Sequence, residues 1–592
     1  MRKLRLRQWL SAGVAALCFA PGTLQSGSPQ AAEPTRIITG VPSAERLLDD
    51  LRWIVGDLAG DQETWDETLQ PAAEVFLIGV DPSRPVGTDV VFDREGGQRK
   101  QFNIPISNLQ EFREENLEPI DIQSSRKAPD YYKLTSDALG YEGWMRYLDN
   151  YASISTKEQD VPSGMPSPMV ALDKLLKESG YDAGLTATNN SDGIADRRDA
   201  FQEFRENMLA GISRRPSETP EAFELRKRLA HHQTERLERL FVEAEQVLGG
   251  WITDAKKEEA RGEMLLSALA GTDLAKALGS FGATASHFAA IPTTEASLVH
   301  GRMNIPVDPT LQNQADEFYK LVAPVWKQRI DGDESLTAEQ KAARHKICDL
   351  GLEMLNDGRA LKALDAFIEI APSASGKNTL LTGIRAADGT KAVALIEQIP
   401  AALSDLTLEL NVDKAGDLSI HKFKMSKVPE ALKSFYGEGS EVYVATGKDA
   451  VWIAAGDGAL DLLKQQLQLV AESKPEANGD VFVGRVKLGP VLKHLDDLGT
   501  EVGFDLNKFL GRAPAAETES DDSSKKNPGQ ALMSLDLRKL ALPTLQEGNE
   551  DHFSLHVKKA DKKVRADVKV ERGVLKAAGK VIAKVAAERL SG

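Results

Sequence analysis

The residues from Asn190 to Asp199 (NSDGIADRRD) carry side-chain oxygens at the spacing of a calcium loop. Asn190, Asp192, Asp196 and Asp199 fall at positions 3, 5, 9 and 12, and Gly193 at position 6, where such a loop turns sharply. Position 1 is Thr188, which brings no carboxylate, and position 12 is the shorter acid. The same residues also read as an Asx-rich turn whose Asp196 caps a helix. Calcium is the only cofactor the sequence suggests.

Other motifs fall short of chemistry. Ser375-Gly-Lys-Asn-Thr379 has Ala371 and Asn378 where a phosphate-binding loop needs Gly and Ser or Thr, so a turn before a strand is expected. Ser124-Ser-Arg-Lys127 has the spacing of a hydroxyl and its amine base, but the companion motifs of penicillin-recognising enzymes are missing and Pro129 follows. Asp331-Gly-Asp333 ends its twelve-residue frame on Ala342, while Thr337 and Gln340 form a capping box. His231 and His232 are adjacent, hence on different helical faces, and Cys348 sits among Ile347, Leu350 and Leu352 as a core residue. His287, His300 and His494 stand alone in sequence and are given no role. No H-E-x-x-H, G-x-S-x-G or C-x-x-C occurs.

The elements that would position these residues form an α+β pattern. Ser43 can cap a helix with apolar residues from Leu47 to Leu58 at helical spacing. Val75 to Val80 reads as a strand closed by Asp81-Pro-Ser-Arg-Pro85, and a second strand around Val90-Val-Phe92 precedes Phe102 to Ile106 and a helix through Phe112. Three elements then recur at nearly one displacement. The hairpin at Asp149-Asn150 matches that at Asp449-Ala450; Tyr181 to Leu185 matches Gly479 to Val483; and the hairpin at Trp251 to Lys257 matches that at Leu555 to Lys562. The offsets are 300, 298 and 305 residues. Two tandem related domains of antiparallel or mixed sheets packed with helices are therefore expected, over 33–290 and 291–592. The first carries a long helical insertion at 196–248, opened by Thr219-Pro220. The second carries a polar loop at 513–530 that is too hydrophilic to bury anything.

Within this pattern, Gly79-Val-Asp-Pro-Ser-Arg-Pro85, Ile104-Pro-Ile-Ser107 and Phe223-Glu-Leu-Arg-Lys-Arg-Leu229 carry a resemblance. The chain resembles a group of large, uncharacterised secreted proteins of planctomycete-type bacteria. The resemblance covers most of the first repeat and more loosely the second. It implies export and fold type and transfers no site residue.

The N-terminus supports export independently. Arg2, Lys3, Arg5 and Arg7 precede the apolar run Trp9 to Ala20, which is followed by Pro21 and small residues to Ala32. That is the pattern of a signal peptide over residues 1–32, too short for a membrane span. Leu17 before Cys18 argues against lipidation. Removing the leader leaves 69 basic residues against 89 acidic, a net charge of −20 compared with −16 for all 592 residues. Only Cys348 then remains, so no internal disulfide can form.

Such acidity disfavours nucleic-acid phosphates. One region opposes it: from His556 to Gly592 eleven Lys or Arg stand against four acids, and Lys576, Lys580 and Lys584 share one row of a terminal helix. This row is a candidate surface contact for anionic lipid or an acidic partner, or simply the solvated side of a capping helix. The motif deficit favours an exported, periplasmic or envelope-associated non-catalytic protein that binds or scaffolds a protein, peptide, glycan or lipid-like ligand, with no transmembrane span in the mature chain. The alternatives are a secreted hydrolase with dispersed carboxylates and a calcium-dependent interaction module.

Overall fold

In a computed structural model of the chain, the described residues are 35–590 without 93–97, 119, 125–129, 137–140, 162–167, 178, 217, 440, 475, 503–536 and 548–549. The leader 1–32, the polar loop 513–530 and three residues of the Ser-x-x-Lys motif lie outside them. No described helix is long and apolar enough to cross a membrane.

The fold is α+β. Ten strands make the first half: β1 Thr35–Val41, β2 Val86–Phe92, β3 Gln98–Pro105, β4 Asp121–Ser124, β5 Tyr131–Ser136, β6 Tyr141–Leu148, β7 Tyr151–Ser155, β8 Ala183–Thr188, β9 Ala244–Asp254 and β10 Glu259–Ala268. Ten more, among the described residues, make the second: β11 Val299–Pro306, β12 Ala363–Pro372, β13 Asn378–Arg385, β14 Leu406–Ala415, β15 Leu418–Met425, β16 Glu441–Thr446, β17 Ala450–Gly456, β18 Asp480–Lys487, β19 His552–Ala560 and β20 Lys563–Glu571.

The pairings between these strands, all antiparallel, link them into one sheet. Read inward from one edge, the order is β4-β5-β6-β7-β3-β2-β1-β8-β9-β10. From the other edge it is β14-β15-β16-β17-β13-β12-β11-β18-β19-β20. The two halves thus share one strand order and meet at the pairing of β10 with β20, in register from Glu259↔Glu571 to Leu266↔Val564. One ladder therefore runs through both halves.

Helices occupy matching connections. Between the seventh and eighth strands lie Pro168–Lys177 and Ala459–Glu472. Between the eighth and ninth lie Ile194–Ala210 with Pro220–Glu243 in the first half, and Leu488–Val502 with Leu537–Leu545 in the second. The helical insertion expected only in the first half therefore has counterparts in the second. It also ends at Glu243 instead of 248, because Ala244 turns extended (φ −65°, ψ 133°) and joins β9. Pairing on both sides, with β8 and β10, outweighs the helical reading of Val247 and Leu248.

Two further expectations change. Val75 and Phe76 end a helix, Gln70–Phe76, and of that run only Val80 bridges a strand partner, Ile106. Pro71 suits the first turn of this helix, and Gly79 at φ +73° lets the chain reverse beyond it. The boundary at 290 also moves. Phe288 and Ile291 are buried in the core of the second half, where Phe288 packs edge-on to Trp452 with ring centres 5.0 Å apart. Ser286 and the His287 amide both donate to the buried Asp365 carboxylate.

Alternation across the central strands gives the seam two faces. Ala260, Gly262, Met264 and Leu266 of β10 share one face with Val564, Ala566, Val568 and Val570 of β20, while Glu259, Arg261, Glu263, Arg565, Asp567 and Lys569 share the other. The helices following β10 and β20, Asp273–Ser280 and Arg572–Leu590, cover opposite ends of the apolar face. Each reaches the other half: Leu274 and Leu278 pack with Val564, and Leu575 packs with Leu58 and Ala260. The polar face at the seam holds a basin.

Candidate functional site at the seam

The basin encloses about 510 Å³ and draws its lining from both halves. From the first come Tyr181, Ile252, Arg261 and Glu263; from the second come Arg485, Ser554, His556, Arg565, Asp567 and Lys569. Period-two alternation puts these side chains on one face, and strand register sets them in rows. One row runs Glu369, His300, Arg485, Ser554, Lys569, Arg261, Ile252. Gly250 matters for shape, because a Cβ there would lie 2.2 Å from the Tyr181 ring.

Its charges are paired in a ladder. Arg565 reaches Glu263 at 3.0 Å and Asp567 at 2.7 Å, Lys569 reaches Glu259 at 2.9 Å, and Arg261 also pairs with Glu259. His556 Nε2 lies 2.7 Å from Asp480, and His552 Nδ1 lies 2.9 Å from Glu571. Burial works to raise the Glu259 carboxyl, yet the hydrogen bonds from Lys569 and Arg261 together outweigh it and hold the group below the usual carboxylate range. Burial, then the nearby Glu263 carboxylate, pushes the Tyr181 phenol up. The result is a surface bearing both signs at fixed spacing, suited to a polar ligand that itself bears both.

One wall of the basin continues into a buried network. His300 of β11 stands directly opposite Glu369 of β12. Its Nδ1 lies 2.5 Å from Glu369 Oε2, and its Nε2 lies 2.9 Å from the hydroxyl of Thr293, an exposed residue on the basin rim. Ser297 donates to the other Glu369 oxygen. In the tautomer with its proton on Nδ1, the ring donates a hydrogen bond to Glu369 and Nε2 accepts one from the Thr293 hydroxyl. His300 is 1% exposed and Glu369 7%. A hydroxyl, an imidazole and a carboxylate are thereby aligned.

This network was not read from sequence, where His300 stood alone. Its partner is 69 residues away, and only the cross-strand register joins them.

The sequence candidates lie elsewhere. Asn190 caps the short turn Ser191–Gly193 by accepting from the Gly193 amide, and its carbonyl accepts from Arg197. Helix Ile194–Ala210 has begun before Asp196 and Asp199 are reached, so the second half of the expected calcium loop is helical. Asp192 and Asp199 are exposed. Among the described residues no group of three or more His, Cys, Asp or Glu is placed to hold a metal. Asn190 is the capping side chain here, whereas Asp196, expected to cap the helix, lies in its first turn behind the N-cap Gly193.

Two lysines of the row pair within the protein. Lys576 pairs with Glu547 at 2.7 Å and Lys584 with Glu588 at 3.3 Å, while Lys580 lines a small cleft with Asp61 and Thr64. Ser375 to Lys377 form the turn between β12 and β13. Thr337 and Gln340 make the expected capping box. Cys348 is buried, and that burial raises its thiol. His494 stacks on Phe435 with ring centres 3.9 Å apart.

No protein-family model, curated protein or solved structure matches the chain.

Proposed function

We propose that the protein is an exported envelope protein, built by duplication of a ten-strand unit, that binds an extended peptide segment in the basin where the two units meet. The observation that carries this reading is the basin itself, lined from both halves with guanidinium, ammonium and carboxylate groups in register. The matching strand order and the offsets of 300, 298 and 305 residues support the duplication. A peptide offers both charges, and an extended segment laid along the strands repeats its side chains on one face every ~6.6 Å, the same-face repeat of the strands beneath it. An uncharged glycan would leave the charge ladder unused, and a lipid chain would meet polar groups that cost free energy to desolvate.

Selection from a random peptide display library on residues 33–592 tests the reading. Enriched peptides should carry both acidic and basic residues and lose affinity at least tenfold when Arg485 and Lys569 are both replaced by Ala. Enrichment from a glycan array alone, or peptides that bind the double variant equally well, would reject it.

A further inference from the structure

We propose that Thr293, His300 and Glu369 form an acyl-transfer centre that hydrolyses an ester or amide carbonyl held in the seam basin. The inference rests on the basin being a ligand site and adds a reaction to it. Nucleophilic catalysis by a hydroxyl requires a base within hydrogen-bond reach and a third group that orients the base. Both contacts are present, at 2.9 Å from Thr293 to Nε2 and 2.5 Å from Nδ1 to Glu369. The hydroxyl is at the accessible end and the carboxylate at the buried end, the polarity a triad needs. Ser297 holds the second carboxylate oxygen, which fixes the plane of Glu369.

In the first step the Thr293 Oγ1 bonds to the carbonyl carbon as its proton passes to His300 Nε2. Glu369 stabilises the imidazolium, and the carbonyl oxygen becomes an oxyanion. Arg485 stands beside His300 in the strand register and lines the basin, so its guanidinium, 3.9 Å from Glu571, is the cation we assign to that oxyanion. Collapse of the adduct breaks the bond to the leaving group, which departs as an alcohol or amine with the proton from Nε2. Water then attacks the acyl-threonine and gives a proton to Nε2. The second collapse releases a carboxylic acid and returns that proton to Thr293. Glu369 is a positioning residue, since it acts through His300.

A fluorophosphonate probe and p-nitrophenyl butyrate test the centre on residues 33–592. The probe should label Thr293, as located by peptide mass, and Thr293→Ala should abolish labelling and slow ester hydrolysis on the order of 10²-fold or more. Thr293→Ser should restore both. Glu369→Gln should lower kcat with KM little changed, a split that a general loss of folded protein would not produce in active-site-titrated enzyme. Absence of label on Thr293, or hydrolysis unaffected by Thr293→Ala, overturns the inference. Thr293 is an exposed loop residue, so its variants test chemistry without emptying the core. An unlabelled protein that still captures selected peptides overturns the acyl-transfer centre alone. Labelled protein that captures none overturns the peptide reading alone.

Discussion

Glu263 of β10 and Asp567 of β20 face each other where the two halves meet, and one guanidinium, that of Arg565, reaches both carboxylates at 3.0 and 2.7 Å. Like charges directly across a strand pair are unfavourable, so the arrangement ties the pairing of the halves to a cation from the second. The consequence is electrostatic and therefore sensitive to salt.

Arg565→Ala leaves the two acids opposed. Arg565 is 39% exposed, so water and ions screen much of the effect. The variant should lose about 1 kcal/mol of stability at low ionic strength and less as salt rises. Urea denaturation at two salt concentrations checks this. An equal loss at both would mean that the side chain acts by packing alone.

The terminal helix reaches the first half through Gly579. A Cβ there would lie 2.3 Å from the Ile54 carbonyl oxygen and 2.8 Å from Ala59 Cβ. Gly579→Leu should destabilise the protein by about 1 to 3 kcal/mol through overpacking against backbone. A wild-type denaturation midpoint for the variant would show that this helix does not dock there.

Phe288 tests where the second half begins. It is fully buried among Phe367 and Trp452. Phe288→Ala should cost about 3 to 5 kcal/mol. A loss under 1 kcal/mol would return the residue to a linker.

Asp50 makes stability depend on pH. Burial, and then the Asp182 carboxylate, raise its folded pKa from 3.8 to about 6. The folded state therefore binds the proton more tightly than the unfolded state, so Asp50 favours folding below about pH 4 and loses that contribution as pH rises through 6. Asp50→Asn should stabilise the protein on the order of 1 to 3 kcal/mol at pH 8 and hardly at all at pH 3.5. Thermal melts at the two pH values decide. Equal shifts at both would remove the titration account.

Local features were legible before the fold was known because their causes are local. The Asp149-Asn150 turn, with φ of 52° and 61°, the Thr219 cap and the Thr337 capping box all lie where their residue types predict. The three matched elements, two hairpins and a strand, also pointed to two related halves. Strand order was hidden, because β11 starts 264 residues after β1, from Thr35 to Val299, whereas β17 starts 299 after β7, from Tyr151 to Ala450. Unequal helical connections blur any single period. The candidate site was hidden for a stronger reason. His300, Glu369 and Arg485 are brought together by register across three strands, with Thr293 on the loop before β11, and no short window contains all four. Asn190 to Asp199 shows the converse, since Asx oxygens at the spacing of a calcium pattern can also serve a cap, as Asn190 does for the Gly193 amide.

The most direct test of the seam as a ligand site is a titration of a display-selected peptide by fluorescence anisotropy, at low and at moderate salt, against the wild type and the Arg485→Ala, Lys569→Ala double variant. Saturable binding that weakens with salt, and weakens at least tenfold in a double variant that still folds, is the expected result. Binding unchanged by the double substitution would place the ligand elsewhere and contradict the account.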